Sequence, residues 1–283
     1  MPPDDPRSHE PTLNPKALLN DLKPLARTIE ADILEVTNED PDALKAVYDE
    51  AKEAGRTGHD FTTWREDRVA MAAASWILAC VFVRFIEDNQ LVPEAHLSGP
   101  GPRRQEAMDR QTHFFTQQAS ATDRDYLLYV FEQLQPLPGM GDILNPAHNP
   151  LYDLPVSPDG AAAILKFFRT RVDGDEEAAA LAHDFTDPSL DTRFLGDLYQ
   201  DLSELIRKQY ALLQTPDFIE AFILDRTLDP AIETFGLDTV RLIDPTCGSG
   251  HFLLGAFHRL LARWQARGPA TPIVEHFYYW MLP

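Results

Sequence analysis

A glycine-rich turn between an apolar run and a helical pattern is the part of this sequence best suited to hold a ligand. Residues 240–243 read VRLI, residues 244–252 read DPTCGSGHF, and a leucine-rich stretch follows. This order predicts a strand, a tight turn and a helix. Gly248 and Gly250 have no Cβ, so the backbone can approach a ligand closely, and the helix presents unpaired N–H groups to a negative group. Because Asp244 supplies the opposite charge, the turn suits a ligand that carries both a carboxylate and an ammonium group.

The glycine spacing argues against two common nucleotide-binding turns. A dinucleotide-binding turn reads G-x-G-x-x-G, whereas the next glycine after Gly250 is Gly255. A phosphate-binding loop needs a Gly-Lys-Ser/Thr triplet, which does not occur in the sequence. Nucleotide binding therefore remains a weaker alternative. An ordinary tight connection between a strand and a helix remains the alternative without a ligand.

Four segments together resemble one enzyme family. The turn at 244–252 resembles the cofactor motif of adenine-specific DNA methyltransferases, and residues 210–219, YALLQTPDFI, resemble the Thr-Pro segment that precedes the cofactor strand in those enzymes. Residues 194–202, FLGDLYQDL, resemble a helix of the large methyltransferases of type I and fused restriction systems. With residues 76–89, WILACVFVRFIEDN, the combination is similar to the PglX-like methyltransferases of phage-growth-limitation and type 2 BREX anti-phage systems.

This resemblance, which runs from about Leu18 to about Trp264, implies a fold, a cofactor and a reaction. A mainly α N-terminal domain would be followed by the first strand and helix of a Rossmann-like α/β domain that binds S-adenosylmethionine. The family transfers a methyl group to the N6 amino group of an adenine flipped out of double-stranded DNA. Thr215 is expected at the methionine end of the cofactor and Glu275 at its ribose hydroxyls. The implied cofactor contacts are Thr215, Asp244, Pro245, Thr246, Gly248, Gly250, Phe252 and Glu275.

The motif that would hold the flipped adenine is not found where the family places it. That motif reads Asp/Asn-Pro-Pro-Tyr/Phe and follows the cofactor motif, but the sequence ends at Pro283. Asn149-Pro150-Leu151-Tyr152 is a weak candidate for catalytic residues Asn149 and Tyr152, because it lacks the second proline and Asn-Pro commonly starts a turn. The chain is therefore expected to be an N-terminal fragment, truncated or frameshifted near its end, that does not methylate alone.

Apolar spacing divides the chain into three parts. Residues 1–16 are rich in proline and charge and are expected to be disordered. Residues 17–212 carry repeated helical spacing, with Asp40-Pro41 and Thr122 as predicted helix starts and Pro24 as a kink or boundary. Residues 213–283 are expected to begin a truncated methyltransferase domain. The apolar residues 69–83 are too few to span a bilayer and predict a buried helix.

Composition limits the partners. The formal net charge is −20, which argues against this chain as the main DNA-gripping surface, since phosphate contacts need Lys and Arg. Double-stranded DNA would then be bound by sequence outside the chain, and other anti-phage proteins are possible partners. Two distant cysteines and no signal peptide favour a cytoplasmic location without metal or membrane. The alternative function is a non-catalytic helical interaction module of a defence complex.

Overall fold

The computed structural model describes residues 13–137, 139–172, 180–187, 193–202, 215, 217–247 and 250–268. Glu275 and Gly248 of the predicted site, and residues 1–12 of the segment 1–16 that is predicted to be disordered, lie outside these ranges. Pro15 and Lys16, the last two residues of that segment, are helical. The chain divides into two compact units, Met1–Gln209 and Tyr210–Pro283. Each unit is described by itself below.

The first unit is built from helices around one apolar core. The described helices are α1 (Pro15–Glu39), α2 (Pro41–Glu53), α3 (Phe61–Asp88), α4 (Arg103–Gln117), α5 (Asp123–Leu134), α6 (Met140–Ile143), α7 (Pro158–Arg169) and α8 (Arg193–Leu202), with a short 3-10 turn at Pro150–Tyr152. Helix α3 lies at the centre, because α1, α2, α7, α8 and the 3-10 turn all pack on it. Five of the fully buried large side chains, Trp76, Phe131, Phe168, Ile29 and Ile77, belong to this core.

Side-chain caps fix where these helices begin. Asp40 accepts a hydrogen bond from the backbone of Ala43 at the start of α2, and Thr122 with Asp125 forms a reciprocal capping box at α5. Both predicted starts are confirmed, since each cap satisfies N–H groups that the helix leaves unpaired. Pro24 is not a boundary, because α1 continues through it to Glu39.

Helix α3 is long and apolar enough to cross a membrane by length and composition, but most of it is buried inside the first unit. The interpretation of residues 69–83 as a buried core helix is therefore confirmed. Its C-terminal turns nevertheless carry three buried charged side chains, Arg84, Glu87 and Asp88. Charges are buried at a cost unless they are paired and hydrogen-bonded, so their partners decide how this end of α3 packs.

Arg84 and Asp88 form a buried ion pair one helical turn apart. The guanidinium Nε and Nη2 of Arg84 donate to the two Asp88 carboxylate oxygens at 3.1 and 2.7 Å, and neither side chain is exposed. Arg84 also donates to the carbonyls of Phe168 and His183, and Asp88 accepts from the backbone N–H of Phe185 at 2.9 Å. The pair therefore ties α3 to the end of α7 and to residues 183–187.

Glu87 and Asn89 hold two further stretches of backbone. The Glu87 carboxylate accepts from the N–H groups of His96, Leu97 and Ser98. The Asn89 amide donates to the carbonyl of Phe185 and accepts from the N–H of Asp187. The polar residues of the segment 84–89, RFIEDN, thus position loops that have no helix or sheet of their own.

Replacing Glu87 with glutamine is expected to remove part of the pH dependence of stability. Burial raises the pKa of Glu87 from its ordinary 4.5 to about 7, against the opposing effect of its three N–H donors and Arg84. Between these values the unfolded chain releases a proton that the folded protein keeps, so stability falls as pH rises through this window. Urea denaturation of both proteins at about pH 5 and about pH 7 measures this difference. An equal decline in the glutamine variant would contradict the assignment to Glu87.

The second unit contains three described helices, α9 (Asp217–Arg226), α10 (Leu228–Phe235) and α11 (His251–Ala266). Helix α9 packs on both α10 and α11. Their shared core consists of six buried apolar residues among those described: Leu224, Leu228, Leu237, Val240, Ala256 and Leu260. Arg259 of α11 joins the helices, because its guanidinium contacts Asp225 at 2.6 Å and Asp229 at 3.0 Å.

The predicted strand at 240–243, and with it the Rossmann-like strand–helix unit, is wrong. Across the described residues there is no strand, and the β pairing found there is a single antiparallel bridge between Arg171 and Leu181. Of the apolar run that suggested a strand, Val240 is buried, Leu242 packs on the core of the second unit (called the second core below) and Ile243 is exposed. A strand also needs a neighbouring strand for its backbone hydrogen bonds, and the described residues supply none at this segment.

Candidate cofactor site

The described residues of the predicted ligand turn, 244–247 and Gly250, lie directly before α11. The Asp244 carboxylate accepts from the backbone N–H of Thr246 at 3.1 Å and lies 3.5 Å from its hydroxyl. The N–H of Gly250 donates to the carbonyl of Cys247 at 2.7 Å. Asp244 is half-buried, whereas Pro245 and Thr246 are exposed. The described part of the turn is therefore held by its own side-chain and backbone hydrogen bonds, and Pro245 and Thr246 are open to solvent.

Gly250 sets the direction in which the chain enters α11. Its φ of 84° and ψ of 15° lie in the left-handed region, and it occupies the N-cap position. A residue with a Cβ is strained in this conformation. In the described part of this turn and helix, no side chain caps α11 and no acidic residue lies in its first turn. The N–H groups at this helix end suit a negatively charged ligand group.

The two residues after Gly250 point into the protein. His251 is buried, and Phe252 is half-buried and packs against the second core. This packing anchors the first turn of α11 beneath the glycine turn. The predicted contact between Phe252 and a cofactor therefore falls on a side chain that is partly used for packing.

Helices α9 and α11 run in the same direction, so the start of α9 and the start of α11 lie at the same end of the helix pair. Glu220 lies against Gly255, and further along both helices Ala221 and Asp225 contact Arg259. Residue numbers rise together along the contact, as they do between parallel helices. Thr215, half-buried and two residues before α9, therefore lies at the end of α9 that corresponds to Gly250 in α11.

The contact between Glu220 and Gly255 was not found by sequence reasoning. Glu220 is only 5% exposed, and a Cβ at Gly255 would overlap its carboxylate. The Glu220 Oε2 atom has no hydrogen-bond partner among the described residues. A glycine inside the helical pattern of residues 251–266, together with a single acidic residue within the apolar stretch 218–224, is the signal that would have indicated it. Gly255 thus lets α9 approach α11 closely.

Asn149 and Tyr152, the weak catalytic candidates, lie in the first unit and tie down a loop. The Asn149 carboxamide accepts from the N–H of Leu151 at 3.0 Å and donates to the carbonyl of Ile143 at 2.7 Å. The Tyr152 hydroxyl donates to the carbonyl of Leu144 at 3.1 Å. A cavity of about 210 Å³ next to Asn149 is lined by apolar residues of α3 with Asp142 and His148. These contacts are those of an Asn-Pro turn with its asparagine at the first position.

Two predicted cofactor contacts cannot be placed, since Gly248 and Glu275 lie outside the described residues. Within the described ranges, no group of three or more His, Cys, Asp or Glu side chains could hold a metal ion. Cys247 is exposed in the turn, and Cys80 is buried in α3. Burial raises the pKa of the Cys80 thiol, so it is a packing residue of the core.

The sequence is related to a curated methyltransferase. It is 48% identical over 257 residues to the adenine-specific methyltransferase PglX of Streptomyces coelicolor, a match that covers 87% of this chain. The resemblance to PglX-like adenine-specific methyltransferases is confirmed. The chain spans 21% of the length of this PglX relative. No family model matches the chain, and no solved structure matches it.

Two of the four segments that carry the resemblance to PglX lie in the second unit. The turn at 244–252 and the Thr-Pro segment at 215–216 are the parts that suggested an S-adenosylmethionine enzyme. Of their described residues, Thr215 and Gly250 lie at one end of the pair of parallel helices α9 and α11. The other two segments of the resemblance, 76–89 and 194–202, lie in the first unit. There residues 76–88 form the C-terminal half of α3, most of which is buried, and Asn89 is its C-cap. Leu195, Leu198 and Leu202 belong to the core.

Proposed function

We propose that this chain is the cofactor-binding segment of an adenine-specific DNA methyltransferase. The observation that carries the proposal is the 48% identity to PglX over 87% of the chain. S-adenosylmethionine would supply the methyl group that is bonded to its sulfonium sulfur. The residues of this chain would hold the amino-acid end of that cofactor. The chain is a segment of the machinery, because it corresponds to 21% of the relative's length.

The turn and its neighbours have the charges that the amino-acid end of S-adenosylmethionine requires. The backbone N–H groups at the start of α11 would bind the carboxylate, as helix N-termini bind anions. Asp244 would pair with the ammonium group, and Thr215 would contact the same end of the ligand from the start of α9. Pro245, Thr246 and Gly250 would shape the turn. Gly248 and Glu275 stay predictions on sequence grounds.

The remaining parts of the reaction are assigned to polypeptide outside this chain. Double-stranded DNA would be bound there, because a formal net charge of −20 opposes binding to phosphates. The methyl acceptor would be the N6 amino group of an adenine flipped out of the duplex. The enzyme would act in the cytoplasm as part of an anti-phage defence system, together with other proteins of that system.

The isolated 283-residue chain is expected to transfer no methyl group to DNA. Its described residues place Asn149 and Tyr152 in loop contacts, and an Asn-Pro-Pro-Tyr sequence does not occur in the chain. The measurement is transfer of labelled methyl from S-adenosylmethionine to mixed-sequence DNA. It compares the chain alone with the chain plus the complementary part, defined as the Streptomyces coelicolor relative without its matched segment.

Label should appear in DNA only when the complementary part is present. Transfer by the isolated chain that is lost in Asn149→Ala would contradict this prediction and would place the base-binding residues in the first unit. Titration of S-adenosylmethionine into both samples measures cofactor binding directly. If neither sample binds the cofactor while the chain forms a stable complex with other defence proteins, the chain is an interaction module, and the methyltransferase proposal fails.

A further inference from the structure

Helix α9 exposes a large apolar stripe on the side facing away from the second core. Phe218 is 73% exposed, Phe222 57%, Ile219 37% and Ile223 38%. These positions, i, i+1, i+4 and i+5, lie on one face of a helix. Leu224 and Glu220 are buried on the opposite side. A helix that is apolar on both sides is typical of a buried element.

The size of this stripe exceeds what single surface residues explain. A phenylalanine side chain has on the order of 150–250 Å² to bury, so the two exposed rings alone present on the order of 250 Å². With the two isoleucines the stripe reaches the few hundred Å² at which exposed apolar surface marks a contact site. Arg226 stacks over the Phe222 ring at 4.9 Å, which places a charge at the edge of the stripe.

The second unit also has a small core of its own. Six buried apolar residues form it in the described part of the unit, and a core of that size rarely supports a domain without further contacts. The PglX relative, in turn, has about four-fifths of its length outside the match, because the chain covers 21% of it. Contact with further polypeptide would account both for the exposed stripe and for the small core.

We propose that the apolar stripe of α9, formed by Phe218, Ile219, Phe222 and Ile223, is the surface on which the remaining polypeptide of the methyltransferase docks. This inference rests on the proposed function in one respect, namely that the remaining polypeptide resembles that of PglX. Docking there would bury the stripe and give the second unit a further apolar contact on the other side of α9. It would also hold α9 and α11 rigidly, and with them the turn at 244–252.

The test measures the binding of the chain to the complementary part, without cofactor and without DNA. The wild-type chain should form a stable one-to-one complex. Phe222→Asp should weaken the complex by about tenfold or more, because it places a charge in an apolar contact. The matched control is Phe235→Asp on α10, because Phe235 is a similarly exposed phenylalanine, 67% exposed against 57% for Phe222, and lies outside the stripe. This control should leave the affinity for the complementary part unchanged.

Three results would overturn the docking proposal. The first is that the wild-type chain forms no complex with the complementary part. The second is that the wild-type chain and Phe222→Asp bind the complementary part with equal affinity. The third is that the chain alone has twice its monomer mass and that Phe222→Asp abolishes this doubling. The last result would assign the stripe to a second copy of this chain. Circular dichroism of Phe222→Asp should match the wild-type spectrum, since the ring is exposed. The docking assay contains no cofactor, so its outcome does not depend on cofactor binding. A protein that fails to bind S-adenosylmethionine would contradict the proposed function but not the docking proposal.

Discussion

Replacing Arg84 with methionine is expected to lower the free energy of unfolding of the first unit by about 3–5 kcal/mol. The substitution removes one partner of a fully buried ion pair and leaves the Asp88 carboxylate without its guanidinium. It also removes the donors to the carbonyls of Phe168 and His183. Since domains are stable by about 5–15 kcal/mol, this loss is a large share of the total. Urea denaturation followed by circular dichroism measures it.

Two further variants separate the ion pair from simple loss of packing. Arg84→Met combined with Asp88→Leu should recover much of the lost stability, because no uncompensated charge then remains buried. Arg68→Ala breaks the half-exposed pair between Arg68 and Asp153 and should cost about 1 kcal/mol or less. If Arg84→Met costs no more than Arg68→Ala, the buried pair does not organise this end of α3.

Replacing Gly250 with valine is expected to reduce the affinity for S-adenosylmethionine by about a hundredfold or more. The backbone of Gly250 has a φ of 84°, which a β-branched residue adopts only with strain. The chain would then enter α11 in another direction, and a Cβ would stand where the ligand approaches the helix N–H groups. Calorimetric titration of the cofactor into the complex of the chain with its complementary part measures the change.

Gly268→Val is the matched control for the Gly250 substitution. Gly268 also has a positive φ, of 57°, and a Cβ at either glycine would meet no heavy atom of the described residues within 4 Å. Both substitutions therefore introduce backbone strain without a clash, at opposite ends of α11. Gly268→Val should keep the affinity for the cofactor. Equal affinity of Gly250→Val and the wild-type protein would leave the turn as a structural connection only.

Local sequence signals were sufficient for the helix starts and for the family. Asp40 and Thr122 act as caps because a short polar side chain reaches N–H groups two or three residues ahead, which depends only on local spacing. The apolar run at 69–83 predicts a buried helix for the same local reason. The four segments at 76–89, 194–202, 210–219 and 244–252 together indicated the resemblance to PglX-like methyltransferases, which the 48% identity confirms.

Contacts between distant residues decided the rest. The apolar run at 240–243 is a local property of the sequence, but a strand forms only beside a second, hydrogen-bonded strand. Among the described residues this segment has no such neighbour. The partners of Arg84, Glu87 and Asp88 lie 9 to 99 residues away, apart from the pair within α3.

The sequence by itself predicted which residues could hold a cofactor: the glycines, Asp244 and the Thr-Pro segment. Only the tertiary structure decided that Thr215 and Gly250 lie at the same end of two parallel helices, with Gly255 allowing the close approach of Glu220. Spacing along a chain specifies residue types and local turns. The meeting of residues 35 positions apart depends on which helix faces pack together, and that is a property of the folded core.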